Sequence, residues 1–305
     1  MEPSRALYIA AAQESRAIYS HASEEIKSQL LLVDAENYQP SLAQAARRQI
    51  FSIVHSLNRE LVAWSDGAID RAYIKGEKTA KAALEILGKR PRRMKVIEGK
   101  QKVKDDLAVT LLRANLSILG VTDEYIAAVA LSSRTIEGAR VTVTVKEFDY
   151  DDVEESVARA AKKIVRTREA VGSLTKKVKS YLKKYIGDDE FIKINGRRYS
   201  AKSYAEMVAR TAMSEAQKQA TLDLCRVYEN DLVQWSDHGT ICIDCGEYEG
   251  NIYSISGNHP KWPPLVESPP LHPNCEHSLL PTSDVALEVE QRWGHYQMPG
   301  ELIGG

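Results

Sequence analysis

The sequence predicts a mainly α protein with small β elements, an α+β chain that ends in a zinc-stabilised module. Three observations carry that expectation. The first half consists of long stretches with apolar residues at helical spacing. Asn195-Gly196, the preferred pair for a tight hairpin turn, sits between two short β-prone runs. Beyond Trp235 the chain becomes rich in Gly and Pro and gathers Cys242, Cys245, His272, Cys275 and His277. That last stretch has few apolar runs with which to build a core, and a bound metal would cross-link it.

Taken in order, residues 3–35 read as a helix, with Ala6, Ile9, Ala10, Ile18 and Ile26 at helical spacing and Pro3 suited to the first turn. Residues 41–87 read as a second, very long helix with Ser41 as N-cap and a stop at Gly88 before Pro91. A break is expected near Trp64-Ser-Asp-Gly67. Two long helices in succession imply an antiparallel hairpin or an extended helical arm, residues 1–88, making few contacts with the C-terminal module. Their apolar stripes read as core.

A basic linker, residues 89–104, follows, carrying Lys89, Arg90, Arg92, Arg93, Lys95, Lys100, Lys102 and Lys104. It reads either as a solvated hinge or as a patch that touches phosphates without sequence preference. Residues 105–200 form a helical region with small β elements. Helices are expected at 101–119 and 122–138, separated by Gly120-Val-Thr122 with Thr122 as cap. Arg140–Lys146 alternates like a strand. Residues 151–170 run from Asp151, Asp152, Glu154 and Glu155 to Lys162, Lys163, Arg166 and Arg168, the order that complements a helix dipole. Residues 173–186 read as a basic helix with Lys176, Lys177, Lys179, Lys183 and Lys184, and Phe191–Tyr199 as the hairpin. The last division, 201–305, opens with a helix from Ser203 to Glu229 in which Cys225 is packed. Leu61-Val-Ala-Trp64-Ser-Asp66 and Leu232-Val-Gln-Trp235-Ser-Asp237 echo each other, as a duplicated helix end or by coincidence.

Composition excludes some classes. The chain has 305 residues, 43% hydrophobic but only 7% aromatic, so its core is aliphatic and Ala-rich. Its 41 basic and 42 acidic residues balance, so nucleic acid or membrane contact must come from local patches. Cysteines gathered in a metal-like cluster suit a reducing interior. The start lacks the apolar core of a secretory signal, and no window approaches a membrane span, so no membrane partner is expected.

Cys242 and Cys245 form C-x-x-C, and His272, Cys275 and His277 form H-x-x-C-x-H. A C-x-x-C turn presents two thiolates to one ion, and a second knuckle supplies the remaining ligands of a tetrahedral Zn²⁺. A redox dithiol would instead sit where a strand enters a helix, whereas Gly246–Ser256 reads as turn and strand. Plain buried thiols are the bland alternative. A catalytic metal would need an open position, and this donor set closes the shell. The fourth ligand is open between His272 and His277.

These residues resemble a family. Ala209-Arg-Thr-Ala-Met-Ser-Glu-Ala216 on a helix, Trp235-Ser-Asp, Cys242-x-x-Cys245-Gly, Tyr248-x-Gly250 and Pro270-Leu-His-Pro-Asn-Cys275-x-His277-Ser-Leu are similar to the C-terminal signature of tailed-phage minor capsid and head morphogenesis proteins. That group is typified by phage Mu protein F, and the branch resembled is minor capsid protein 2. The resemblance covers about residues 200–282. Many relatives close with Cys-Arg-Cys where this chain has Cys275-Glu-His277, a swap that zinc tolerates.

No Gly-rich phosphate loop, G-x-S-x-G, H-E-x-x-H or zinc-deaminase pattern is present in the sequence. The resemblance implies a non-enzymatic, low-copy structural protein of the phage head. It would lie close to the portal, contact portal or major capsid protein, and act in head assembly or DNA delivery. Its expected cofactor is structural zinc and no small-molecule substrate is expected. Its location would be the virion head, assembled in the host cytoplasm. Packaged DNA would be met through Arg90, Arg92, Arg93, Lys95, Lys176, Lys177 and Lys179. The alternatives are a zinc-dependent nuclease with His238, His259 or His295 as general base, and a DNA-binding zinc protein.

Overall fold

The computed structural model describes residues 3–34, 38–91, 98–137, 191–239, 242–273 and 275–284. Its elements are α1 (Pro3–Leu31), α2 (Pro40–Ile86), α3 (Glu98–Glu137), β1 (Ile192–Ile194), β2 (Arg197–Tyr199), α4 (Ala201–Val227), β3 (Leu232–Trp235), α5 (Ile243–Gly246), β4 (Ile252–Ser254) and β5 (Leu279–Pro281). The mainly α architecture with small strands matches the expectation. The strand expected at 140–146 and the helices expected at 151–170 and 173–186 lie outside the described residues. Contacts group the chain into two compact units, one of Met1–Glu14, Val62–Val109 and Glu206–Gly305, the other of Ser15–Leu61 and Thr110–Ala205.

Helix α2 starts at Pro40, which needs no partner for an N–H at the first helical position, so Ser41 lies inside the first turn and is not the cap. No break occurs at Trp64-Ser-Asp-Gly67. Buried Ser65 returns its hydroxyl to the Val62 carbonyl at 2.8 Å, and Trp64 Nε1 donates to Glu14 Oε2 at 3.0 Å. The polar groups that would favour a turn are thus satisfied with the helix intact. The stop is where it was expected. Gly88 takes φ +72, Gly88 N–H bonds Glu85 O at 3.0 Å and Lys89 N–H bonds Leu84 O at 2.9 Å, which together close the last turn.

Helix α3 corrects the expectation of two helices. It runs through Gly120 for 40 residues. Leu111, Ile118, Val121, Tyr125, Ile126 and Val129 are all buried, so one apolar stripe continues across the glycine. That burial outweighs the ~1 kcal/mol by which a helical glycine is disfavoured. Thr122 does not cap; its hydroxyl bonds back to Leu119 O at 3.0 Å. A Cβ at Gly120 would meet nothing within 4 Å. Gly120→Ala is therefore expected to raise stability by about 0.5–1 kcal/mol in denaturant titration. The helix also claims the end of the expected basic linker. Lys100 pairs with Asp70 at 3.1 Å, and Lys104 reaches Asp66 at 3.4 Å and Asp70 at 3.1 Å. By length and composition Gly99–Leu131 is apolar enough to cross a membrane, contrary to the sequence reading. Half of its most apolar window is buried inside the fold, as in the core helix of a globular unit.

In the unit of residues 15–61 and 110–205, Ile26, Leu30, Ile50, Leu61, Leu111, Ile118 and Ile126 form the apolar interior. A buried polar line crosses it. Tyr19 donates to Asn115 Oδ1, and Asn115 Nδ2 donates to Asn58 Oδ1, each at 3.2 Å. Burial pushes the Tyr19 hydroxyl far above its ordinary pKa and keeps it a donor. The hairpin is as expected, with Ile192 opposite Tyr199 and Ile194 opposite Arg197. Asn195 at φ 50 and Gly196 at φ 76 make the turn that this pair favours. Lys193 and Arg198 both pair with Glu124 of α3, at 3.8 and 3.1 Å.

In the other unit, α1 and α2 pack on α4. Tyr8 donates to Gln217 Oε1 at 2.8 Å and Tyr73 to Asp223 Oδ2 at 2.6 Å, while Gln219 and Arg226 hold Asp223 Oδ1 at 2.9 Å each. At Gly76 the backbones approach so closely that an added Cβ would lie 2.8 Å from Gln217 O. These contacts join the N-terminal helices to α4, where the sequence reading anticipated few. Helix α4 ends with Glu229 at φ 50 and Asn230 N–H on Cys225 O at 2.8 Å, and the chain turns directly into β3. Strand β3 is the middle of an antiparallel sheet ordered β4-β3-β5. Val233 faces Tyr253 on one side and Pro281 on the other. The echo of Trp64-Ser-Asp and Trp235-Ser-Asp has no structural counterpart, since the first lies in α2 and the second begins in β3.

Candidate metal centre

The site grows from the ends of this sheet. Trp235 is fully buried with Cys225, Val233 and Leu279, and its ring stacks on Tyr248 at 4.9 Å between centroids. Just past Trp235, Ser236 N–H bonds Ser278 O at 2.9 Å, and Gly250 N–H bonds Trp235 O at 3.2 Å. The sheet thereby brings the segment after the C-x-x-C turn and the segment after the second knuckle to the same strand end. Asp231 steadies the loop beyond β4, accepting from the Ser254 hydroxyl at 2.6 Å and from Ser256 N–H at 2.7 Å.

Each knuckle is a tight turn. In the first, Cys242 is extended, α5 follows at once, and Gly246 N–H returns to Cys242 O at 2.9 Å. In the second, Cys275 N–H bonds His272 O at 3.1 Å. The donors converge. His272 Nε2 lies 3.3 Å from Cys242 Sγ and 3.0 Å from Cys245 Sγ. Cys245 Sγ lies 3.8 Å from Cys275 Sγ, and Cys275 Sγ lies 3.5 Å from His277 Nδ1. Two donor groups result, Cys242-Cys245-His272 and Cys245-Cys275-His277, each with its ligand atoms within 4.8 Å and with Cys245 in common. Tetrahedral zinc has S···S edges of about 3.8 Å and S···N edges of about 3.6 Å, from its bond lengths to sulfur and nitrogen. The Cys245···Cys275 and Cys275···His277 edges have those spacings already, and His272 sits closer to its sulfurs.

The second nitrogen of each imidazole is engaged in the way that metal-binding histidines require. His272 Nδ1 lies 2.9 Å from the Pro273 carbonyl, so that nitrogen carries the proton and Nε2 turns its lone pair to the sulfurs. His277 Nε2 lies 2.7 Å from Glu249 Oε1, so Nε2–H donates to the carboxylate and Nδ1 is the free donor. The electrostatics favour a cation. The Cys242 thiol is lowered, first by the Cys245 backbone N–H, which helps it ionise. Burial, and then the adjoining Cys275 and Cys242 sulfurs, push the Cys245 thiol up to about 12. Buried thiolates so close repel one another, and a divalent cation among them reverses that cost. The Pro273 carbonyl, opposed by burial, raises the His272 pKa. Three sulfurs with either one of the two oriented imidazoles make a four-donor set that fits zinc in softness and number. Zinc bound there would cross-link the two knuckles.

Of the remaining sequence candidates, His238 stands beside the donor set, its ring centroid 5.1 Å from that of His277. Cys225 is a core thiol pushed up to about 12 by burial, as expected of a packed cysteine. His238 Nε2 lies 2.9 Å from the Ser236 hydroxyl and His259 Nε2 lies 3.2 Å from Asp284 Oδ2, so both proposed general bases have structural partners. His295 lies outside the described residues, as do Arg92, Arg93, Lys95, Lys176, Lys177 and Lys179. Arg90 is exposed. Sequence reasoning missed Glu249, whose partner is far along the chain. Only its place inside Tyr248-x-Gly250 could have drawn notice.

The family described as phage minor capsid protein 2 matches residues 41–282, a span that holds both knuckles. No curated protein and no solved structure matches the chain significantly.

Proposed function

This chain belongs to the phage minor capsid protein 2 family, and we propose that it is a low-copy, portal-associated protein acting in head assembly or DNA delivery. Membership makes it a structural virion component that meets other virion proteins. The finer reading names portal or major capsid protein as partner, and assembly in the host cytoplasm. The family match over most of the chain is the observation that supports it. The C-terminal module, residues 201–305, is held by zinc on Cys242, Cys245, Cys275 and one histidine. His277 is favoured over His272 because it is nearly buried and backed by a carboxylate. The protein is not an enzyme on this reading. Quantitative mass spectrometry of purified heads tests it, with a low, fixed copy number expected. Absence from heads, or metal-dependent DNA cleavage by the purified chain, would overturn it.

The basic residues Arg90, Arg92, Arg93, Lys95, Lys176, Lys177 and Lys179 contact packaged DNA through its phosphates. Binding of duplex DNA is expected to be sequence-independent and to weaken by at least about tenfold between 50 and 200 mM salt. Filter binding across that range checks it, and salt-independent affinity would count against it.

A further inference from the structure

Glu249 stands outside the donor set, yet its carboxylate is nearly as buried as the ligands. Its side chain is 10% exposed, and that of His277 is 5% exposed. A buried carboxylate needs partners, and two are at hand. The ring N–H of His277 approaches Oε1 at 2.7 Å and the backbone N–H of His238 at 3.1 Å. His238 is itself pinned. Its Nε2 meets the Ser236 hydroxyl at 2.9 Å, and that hydroxyl accepts from Ser278 N–H, also at 2.9 Å. The His238 ring stands edge-on to His277, with centroids 5.1 Å apart. Glu249 is therefore held from the β3 end of the sheet while it grips the far side of the His277 imidazole.

The chemistry gives that grip a purpose. An imidazole can bind a metal through either nitrogen, and the nitrogen that donates its hydrogen elsewhere is the one that cannot. Fixing Nε2–H on a carboxylate leaves Nδ1 as the donor, orients the ring towards Cys275 and raises the basicity of the ligating nitrogen. Resting on the zinc reading above, we propose that Glu249 is a positioning residue for the metal centre, selecting His277 Nδ1 as the fourth ligand. This also explains how a histidine serves at position 277, where a thiolate would need no such partner. A thiolate there would gain nothing from Glu249 and would be repelled by it.

The test is a mutant cycle on the full-length chain, with Zn²⁺ affinity measured by competition against a chromophoric chelator and coordination read from Co²⁺ spectra. Glu249→Gln keeps the shape and an acceptor for His238 N–H but removes the charge. It is expected to weaken zinc by about 10- to 100-fold, with the tetrahedral cobalt bands retained but shifted. On a His277→Cys background the same change is expected to have no weakening effect, because no imidazole remains to orient. Should the His277→Cys chain fail to fold, His277→Ala serves as the background with the same expectation. Equal weakening in both backgrounds would make Glu249 a general structural residue and overturn the proposal. Unchanged affinity in Glu249→Gln, with zinc bound by the parent chain, would sink the positioning role alone. A parent chain that binds no zinc would sink the zinc reading and this proposal together.

Discussion

Cys245→Ala in the full-length chain is expected to abolish tight zinc binding and to lower the melting temperature by about 10 °C or more, from the several kcal/mol that a structural zinc contributes. Cys245 is the most consequential position because its sulfur is common to both donor groups, beside His272 on one side and Cys275 on the other. It is also fully buried, and its loss takes one sulfur from both donor groups at once. Cys225→Ala provides the control. That thiol is equally buried, but it packs with Val233, Trp235 and Leu279, has Asn230 Nδ2 at 3.9 Å, and belongs to neither donor group. Its loss is one small cavity, costing about 1–2 kcal/mol. Chelator treatment of the parent chain should lower its melting temperature by a similar amount and leave the Cys245→Ala chain unaffected. Equal melting temperatures for Cys245→Ala and Cys225→Ala would refute the assignment.

The second large effect belongs to Gly76. Gly76→Val would press side-chain carbons into Gln217, whose backbone O and Cα lie 2.8 and 2.9 Å from where the new Cβ would sit, and into the Ala220 methyl at 2.9 Å. Backbone cannot yield as a flexible side chain can, so α2 and α4 must separate. The expected loss is about 2–3 kcal/mol, larger than the slight gain in helix propensity that replacing glycine brings. Urea midpoints of Gly76→Val and Gly120→Ala should move in opposite directions, since the first glycine is pressed against backbone and the second faces open space. A Gly76→Val chain as stable as the parent would mean that α2 and α4 are not packed as described. The same contacts bear on truncation. Removing residues 1–87 would take away Tyr8, Tyr73 and the Gly76 surface, leaving Gln217 and Asp223 of α4 without those partners.

What the sequence disclosed was local chemistry. Asn195-Gly196 specified its turn because the required positive φ values are a property of those two residues. Gly88 ended α2 for the same reason. The two knuckles were legible because a C-x-x-C turn presents its sulfurs together whatever surrounds it. Features decided by distant partners were not legible. Gly120 and Trp64-Ser-Asp-Gly67 look like helix breaks, but burial of the stripe through Val121 and Ile126, and the partners of Trp64 and Ser65, carry the helices across them. The shared Leu-Val-x-Trp-Ser-Asp string is helix in one place and strand start in the other, because pairing with β4 and β5 decides the second. Glu249 could not be singled out, since its role rests on His277, which only the folded sheet brings beside it.

Zinc content of the chain recovered from purified virions tests the account most directly, because it asks at once whether the protein is a head component and whether its Cys/His cluster is a metal centre. About one zinc ion per chain is expected, retained through dialysis and lost when Cys245 is replaced. Virions lacking the chain, or virion-derived chain holding no metal, would contradict it.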